Sequence, residues 1–95
     1  MSAPYYVYLA CCANGSLYTG CTNNVERRMA EHNAGRGGRY TQSNRPLKLL
    51  GCWMFDSRTE ALRTEKVIKR LPPEQKLTLL KTTSLHQKEK ICHFL

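Results

Sequence analysis

Residues 5–20, YYVYLACCANGSLYTG, decide how the rest of the chain is read. The run from Tyr5 to Cys12 is β-branched and aromatic, Asn14-Gly15 is a pair that favours positive φ in a tight turn, and Leu17–Gly20 starts a second run, so the pattern predicts a β-hairpin. With a period of two, Tyr6 and Tyr8 share one face while Tyr5, Val7 and Leu9 share the other, and the hairpin can bring Tyr8 and Tyr18 close together. Both tyrosines stand where a core would more economically use Val or Ile. Cross-strand aromatic packing is one reason for them; a need for two hydroxyls is the other.

Outward from the hairpin, TNNVERRMAEHN (residues 22–33) carries Asn23 and Glu26 in capping-box spacing and ends on Asn33 and Gly35 as stop signals, which predicts a three-turn helix. At about 100° per residue, Val25 and Met29 define its buried direction. Arg28 and His32 then fall at the core's edge, whereas Arg27 and Glu31 point away. As i,i+4 neighbours, Arg28 and His32 could reach one anionic ligand; the alternative is that Arg27 and Arg28 are both solvated surface charge.

The next segment, AGRGGRYTQSNRP (residues 34–46), reads as an exposed loop. LKLLGCWMF (47–55) reads as a third strand, apolar enough to be central. DSRTEALRTEKVIKRL (56–71) opens with Ser57 and Glu60 in capping-box spacing and runs as a helix until Pro72-Pro73 ends it. Glu65 has Ala61, Leu62, Ile68 and Lys69 as its i±3 and i±4 neighbours, a setting that calls for a metal ion or a cationic partner such as Lys69 or Arg63. A last helix is expected from Pro73 to Lys81. The division expected is one domain over residues 1–82 and a C-terminal tail, 83–95, whose apolar end Ile91–Leu95 either docks or stays loose. The order β-β-α-β-α-α predicts an α+β fold, a small three-stranded, mainly antiparallel sheet with flanking helices.

Composition narrows the function. Ninety-five residues make one domain, and 15 Lys+Arg against 7 Asp+Glu leave a net charge of +8, which points to an anionic partner. No Lys- or Arg-rich amphipathic helix with bulky apolar residues stands out, so nucleic acid is favoured over a membrane surface. Neither a signal peptide nor a long apolar run is present, and a cytoplasmic location is expected. The five cysteines have no CxxC spacing and are expected as free thiols. A structural zinc site is the other possibility, but Cys11 and Cys12 point to opposite faces of a strand and His32, His86 and His93 are scattered.

The segments YYVYL, SLYTG, TNNVERRMAEHN, GGRYT and SRTEALRTEKVIKRL, in this order and spacing, resemble the GIY-YIG nuclease domain over roughly residues 5 to 80, most closely its small stand-alone bacterial members of the YhbQ type. In that resemblance Tyr6-Val7-Tyr8 matches the family's first motif and Tyr18-Thr19-Gly20 its second, Arg28 its arginine and Glu65 its metal-binding glutamate. Arg27, Arg28 and His32 echo the branched-DNA endonucleases of the same superfamily. Tyr6 departs from the family's first glycine, and Cys21 stands where DNA-repair relatives have lysine.

The resemblance implies a metal-dependent endonuclease that hydrolyses phosphodiester bonds, acting on DNA ahead of RNA, with structure-specific cutting among the expectations for this chain. It places Tyr8, Tyr18, Arg28, His32 and Glu65 in the catalytic set, with Glu65 holding a single Mg²⁺ or Mn²⁺. Arg27, Arg36, Arg39, Arg45 and Lys48 are the expected nucleic-acid contacts. Tyr8 or Tyr18 would position or deprotonate water; a phenol titrating near pH 10 needs the metal and arginine to lower its pKa before it can act as a base. The alternatives are a nucleic-acid-binding module that has lost the cutting, and an adaptor using the C-terminal ICHFL.

Overall fold

In the computed structural model, which describes residues 4–82 and 91–93, strands β1 (Tyr5–Cys11) and β2 (Leu17–Thr22) form the expected antiparallel hairpin. Gly15 turns the chain with φ +89°, and the Asn14 side-chain carbonyl accepts the Ser16 amide at 3.1 Å. Tyr8 faces Gly20 and Ala10 faces Tyr18, so the two tyrosines are diagonal neighbours on one face.

Strand β3 (Lys48–Phe55) pairs antiparallel with the other side of β1, Tyr8 facing Cys52, with the register shifting between Leu9 and Ala10. The three-stranded antiparallel sheet is thus present, with β1 as its middle strand. A short fourth strand, β4 (Ile91–His93), adds to β3 and gives the order β2-β1-β3-β4, so β3 is internal as well. Of the expected tail, only these three residues are described; 83–90 and 94–95 lie outside the described residues.

Alternation along the strands separates two layers. Val7, Leu9, Trp53 and Phe55 pack with Ala61 and Ile68 of α3 (Arg58–Lys69) and Leu80 of α4 (Pro73–Thr82) as the main core. Ala10, Cys12 and Leu47 form a smaller cluster with Tyr18 and with Met29 of α1 (Val25–Asn33). Cys11, Cys12 and Cys21 are free thiols. Among the described residues no helix is long and apolar enough to cross a membrane.

The helix starts follow side-chain capping. Ser57 accepts the Glu60 amide at 3.2 Å, as its spacing predicts. At α1 the cap is Asn24, not Asn23: its carbonyl oxygen accepts the Arg27 amide at 2.9 Å, while Asn23 accepts from the Arg27 guanidinium at 2.8 Å. The strand runs on through Thr22, whose hydroxyl oxygen accepts the Asn24 amide at 3.1 Å and sets the helix start one residue later.

The segment expected as a loop contains a short helix, α2 (Arg39–Ser43). Tertiary anchors order it: Thr41 is fully buried, Arg45 Nε donates to the Gln42 carbonyl at 3.1 Å, and the Asn33 side chain accepts from Leu47 N at 2.7 Å and donates to Leu47 O at 3.2 Å.

Candidate active site

The site is organised around the edge strand β2. Gly20 lies opposite Tyr8, and a Cβ at Gly20 would coincide with the Tyr8 ring and hydroxyl, so the missing side chain is what lets the ring cross β2. There it meets Tyr18 and His32, with ring centroids 6.2 Å (Tyr8–Tyr18), 6.0 Å (Tyr8–His32) and 5.2 Å (Tyr18–His32) apart. The histidine contacts are edge-on, the arrangement aromatic quadrupoles favour.

His32 is fully buried, a correction to its expected place at the core's edge. The wheel gives its direction but not what covers it. Here α2 closes over the ring: a Cβ at Gly37 would collide with Nδ1 and with the Thr41 hydroxyl. His32 Nε2 lies 2.8 Å from the Tyr8 hydroxyl, and Nδ1 lies 3.1 Å from Thr41 Oγ1.

The proton positions follow by elimination. The Thr41 hydroxyl donates to the Gly38 carbonyl at 3.0 Å, so its oxygen accepts from His32 Nδ1–H. Nε2 therefore carries the lone pair and accepts the Tyr8 O–H. Desolvation and the nearby Arg28 charge both hold His32 below its ordinary pKa, which favours the neutral ring with its lone pair on Nε2.

Burial, with a smaller contribution from Tyr18, pushes the Tyr8 hydroxyl well above the ordinary phenol pKa. Arg28 beside it acts in the lowering direction, but the burial effect wins. Of the two ways the sequence left open for a tyrosine here, Arg28 by itself does not provide the lowered pKa that a free phenoxide base would need. A standing phenoxide is disfavoured, and Tyr8 can lose its proton only as a partner takes it.

Arg28 and Arg27 separate as the wheel predicts: Arg28 is half-buried and near enough to Tyr8 for each to act on the other's pKa, whereas Arg27 is exposed. Glu31, expected to point away, turns back and binds Arg28 Nη1 at 2.9 Å, which holds its carboxyl below the usual range. Glu65 reaches the same edge from α3, with its side chain only 15% exposed and 3.4 Å from the Nζ of the half-exposed Lys69. Its charge acts on Tyr8 and on Cys21, whose thiol is pushed up to about 11, first by burial and then by this carboxylate.

A hard cation that keeps most of its water needs only one or two protein carboxylates besides substrate oxygens. Glu65, little exposed and held by one exchangeable lysine, fits that requirement. Among the described residues no group of three His, Cys, Asp or Glu side chains forms a larger metal cage.

The expected nucleic-acid contacts are spread more widely. Arg36 is close enough to Glu31 to act on its carboxyl, and Arg39 is exposed at the start of α2. Arg45 braces the loop through the Gln42 carbonyl and, at 3.5 Å, the Asn33 carbonyl. Lys48 lies opposite Cys11 at the start of β3 and lines an open groove of about 560 Å³ with Glu26, Met29 and Asn33, while Tyr8 faces Cys52. Thr41, Gly37 and Glu31 were not among the expected site residues. Thr41 lies in GGRYT, but its contact with His32 spans nine residues of chain, beyond any local pattern.

This arrangement has relatives. Residues 4–77 match the family described as the GIY-YIG catalytic domain. A UPF0213 protein from Nitratidesulfovibrio vulgaris is 53% identical over 78 residues, covering 82% of this chain and 71% of that protein. One from Staphylococcus haemolyticus is 49% identical over 78 residues, covering 82% and 95%. Among solved structures, the UPF0213 protein of Bacillus halodurans has a TM-score of 0.54 at 36% identity, covering 90% of each chain, and a protein from E. faecalis a TM-score of 0.60 at 37% identity, covering 90% and 94%. With the family's two tyrosine motifs paired across one hairpin and its sequence matched through α3, the chain belongs to the GIY-YIG nuclease superfamily, as a small stand-alone member akin to the UPF0213 proteins.

Proposed function

We propose that the protein is a divalent-metal-dependent endonuclease that hydrolyses phosphodiester bonds in DNA. The observation that supports this most is the chain of hydrogen bonds from Tyr8 through His32 to Thr41, with the charges of both Arg28 and Glu65 acting on the Tyr8 hydroxyl.

The Tyr8 oxygen accepts a proton from the attacking water as its own proton passes to His32 Nε2. No free phenoxide forms, which suits a buried phenol. The water oxygen bonds to phosphorus while the opposite phosphorus–oxygen ester bond breaks, and the leaving oxygen takes a proton from solvent. His32 is neutral and its lone pair already points at Tyr8, so it needs no reorganisation to accept. Tyr18 packs against the histidine ring and holds the pair in register.

Arg28 leaves Glu31 to donate charge-assisted hydrogen bonds to the phosphate oxygens, whose negative charge grows as water adds. Glu65 would hold Mg²⁺ or Mn²⁺ in exchange for Lys69. A cation bound there supplies positive charge to the scissile phosphate and the leaving oxygen. The net charge of +8 draws the polyanion to the surface.

The test is incubation of the purified protein with labelled single-stranded, duplex, flap and junction DNA in Mg²⁺, Mn²⁺ or EDTA. Cleavage is expected with metal and none with EDTA. Glu65→Gln is expected to raise the metal concentration needed and to leave DNA affinity intact. Binding without cutting on every substrate would replace this reading with that of a nucleic-acid-binding module.

A further inference from the structure

We propose that Tyr40 is a stacking platform for an unpaired nucleobase, so that strands with unpaired nucleotides are bound in preference to continuous duplex. The proposal rests on the nucleic-acid reading above and names the form of substrate that the site accepts.

Three large apolar side chains stand out at the described surface: Tyr40 at 49% exposure, Val67 at 59% and Leu77 at 41%. Only Tyr40 is aromatic. Its hydroxyl is tied to the hairpin turn, hydrogen-bonded to the Ser16 hydroxyl and accepting from Asn14 Nδ2 at 3.2 Å. The Ser16 hydroxyl and backbone amide both contact Asn14 Oδ1, at 2.7 and 3.1 Å, so the anchor itself is braced. A free surface tyrosine loses rotamer freedom when a ligand stacks on it; a ring fixed at its tip has already lost it. A tether alone would not require half of the side chain to remain in solvent.

The surroundings suit one class of ligand. Arg39 precedes Tyr40 and is exposed, as is Arg36, which acts on the Glu31 carboxyl that holds Arg28. Arginines beside an exposed ring are the combination that binds single strands: cations for phosphates, a π-face for a base. Thr41, the next residue, is fully buried and continues the hydrogen-bond chain from Tyr8 through His32. Adjacent residues of α2 thus serve the inside and the outside of one site. A base within a duplex has both faces covered by its neighbours, so a base on Tyr40 must be unstacked, at a cost that is least in single strands, flaps and junctions.

The experiment uses the full chain and its Tyr40→Ala, Tyr40→Phe and Tyr40→Trp variants, titrated by fluorescence anisotropy against a labelled oligothymidylate, an oligouridylate and a blunt duplex, with melting curves for each protein. Tyr40→Ala is expected to weaken strand binding by roughly 5- to 100-fold and duplex binding by less than about twofold. Tyr40→Phe, which loses the tether and keeps the ring, should stay within about threefold of the parent, and Tyr40→Trp should match it. The tighter of the two single strands identifies the source of the base as DNA or RNA. A Tyr40→Phe loss as large as that of Tyr40→Ala would make the residue a tether and overturn the proposal, as would equal losses on strand and duplex. Unchanged binding by Tyr40→Ala would overturn stacking alone; a parent protein that binds no strand and no duplex would overturn the nucleic-acid reading with it.

Discussion

The Tyr8 hydroxyl and Nε2 of His32, each on a fully buried side chain, are 2.8 Å apart, although the two residues are 24 positions apart in the chain. The bond joins the central strand to α1 as a structural contact, and in the proposed mechanism it is also the first step of a proton path.

Removing either partner should therefore cost stability as well as activity. Tyr8→Phe leaves Nε2 as a buried acceptor without its donor and should destabilise the fold by about 1–3 kcal/mol. His32→Ala adds a cavity and should cost about 2–5 kcal/mol. Cleavage should fall by about 10²- to 10⁴-fold in each. Urea denaturation and single-turnover cleavage give the two values, and the double variant should lose less than the sum because both changes break one bond.

Stability should depend on pH through His32. Its folded pKa lies below the ordinary histidine value of about 6.5, so between the two values the unfolded chain binds a proton that the folded chain does not. The contribution of the neutral ring is fully present above about pH 6.5 and is lost as pH falls through the folded value. Urea midpoints measured from pH 8 down to pH 5 should fall across the acid half of the range, and His32→Gln should flatten that part of the profile.

Gly20→Ala tests the close approach of the edge strand to the Tyr8 ring. The added methyl would overlap the Tyr8 ring and hydroxyl, and a fully buried ring has no free space to move into. A loss of about 1–3 kcal/mol is expected, with cleavage abolished. Combining it with Tyr8→Leu should restore part of the stability and none of the activity; full additivity in thermal melts would place the strain elsewhere.

Arg28→Ala should reduce cleavage by about 10²- to 10³-fold, the range for losing one group aimed at developing charge. Arg27→Ala should stay within about threefold, since Arg27 is exposed and binds Asn23 and Glu31. Single-turnover rates at saturating protein separate this from a loss of binding, and equal losses in both variants would contradict the placement of Arg28 beside Tyr8.

The hairpin and the helix starts near residues 24 and 57 were legible because each rests on interactions within a few residues of chain, and α3 ends at Lys69, two residues before the expected Leu71. The same local periodicity set Arg28 apart from Arg27 and set Tyr8 beside Tyr18. Helix α2 was not legible: Gly35, Gly37 and Gly38 signal a loop, and the anchors that order the segment come from Asn33, His32 and Arg45. The one-residue shift of the α1 cap depended on the Thr22 hydroxyl, where two adjacent asparagines were equally able to cap.

Sequence alone determined the strand and helix pattern, the charge balance and the side chains suited to phosphodiester chemistry, because pleat, helical period and capping act over short stretches of chain. Tertiary structure alone decided that His32 is buried and held below its ordinary pKa, and that Tyr8 is harder rather than easier to ionise. Desolvation is set by what covers a group, and here the covering residues come from distant parts of the chain: Gly20 makes room for the Tyr8 ring, and α2 closes over His32.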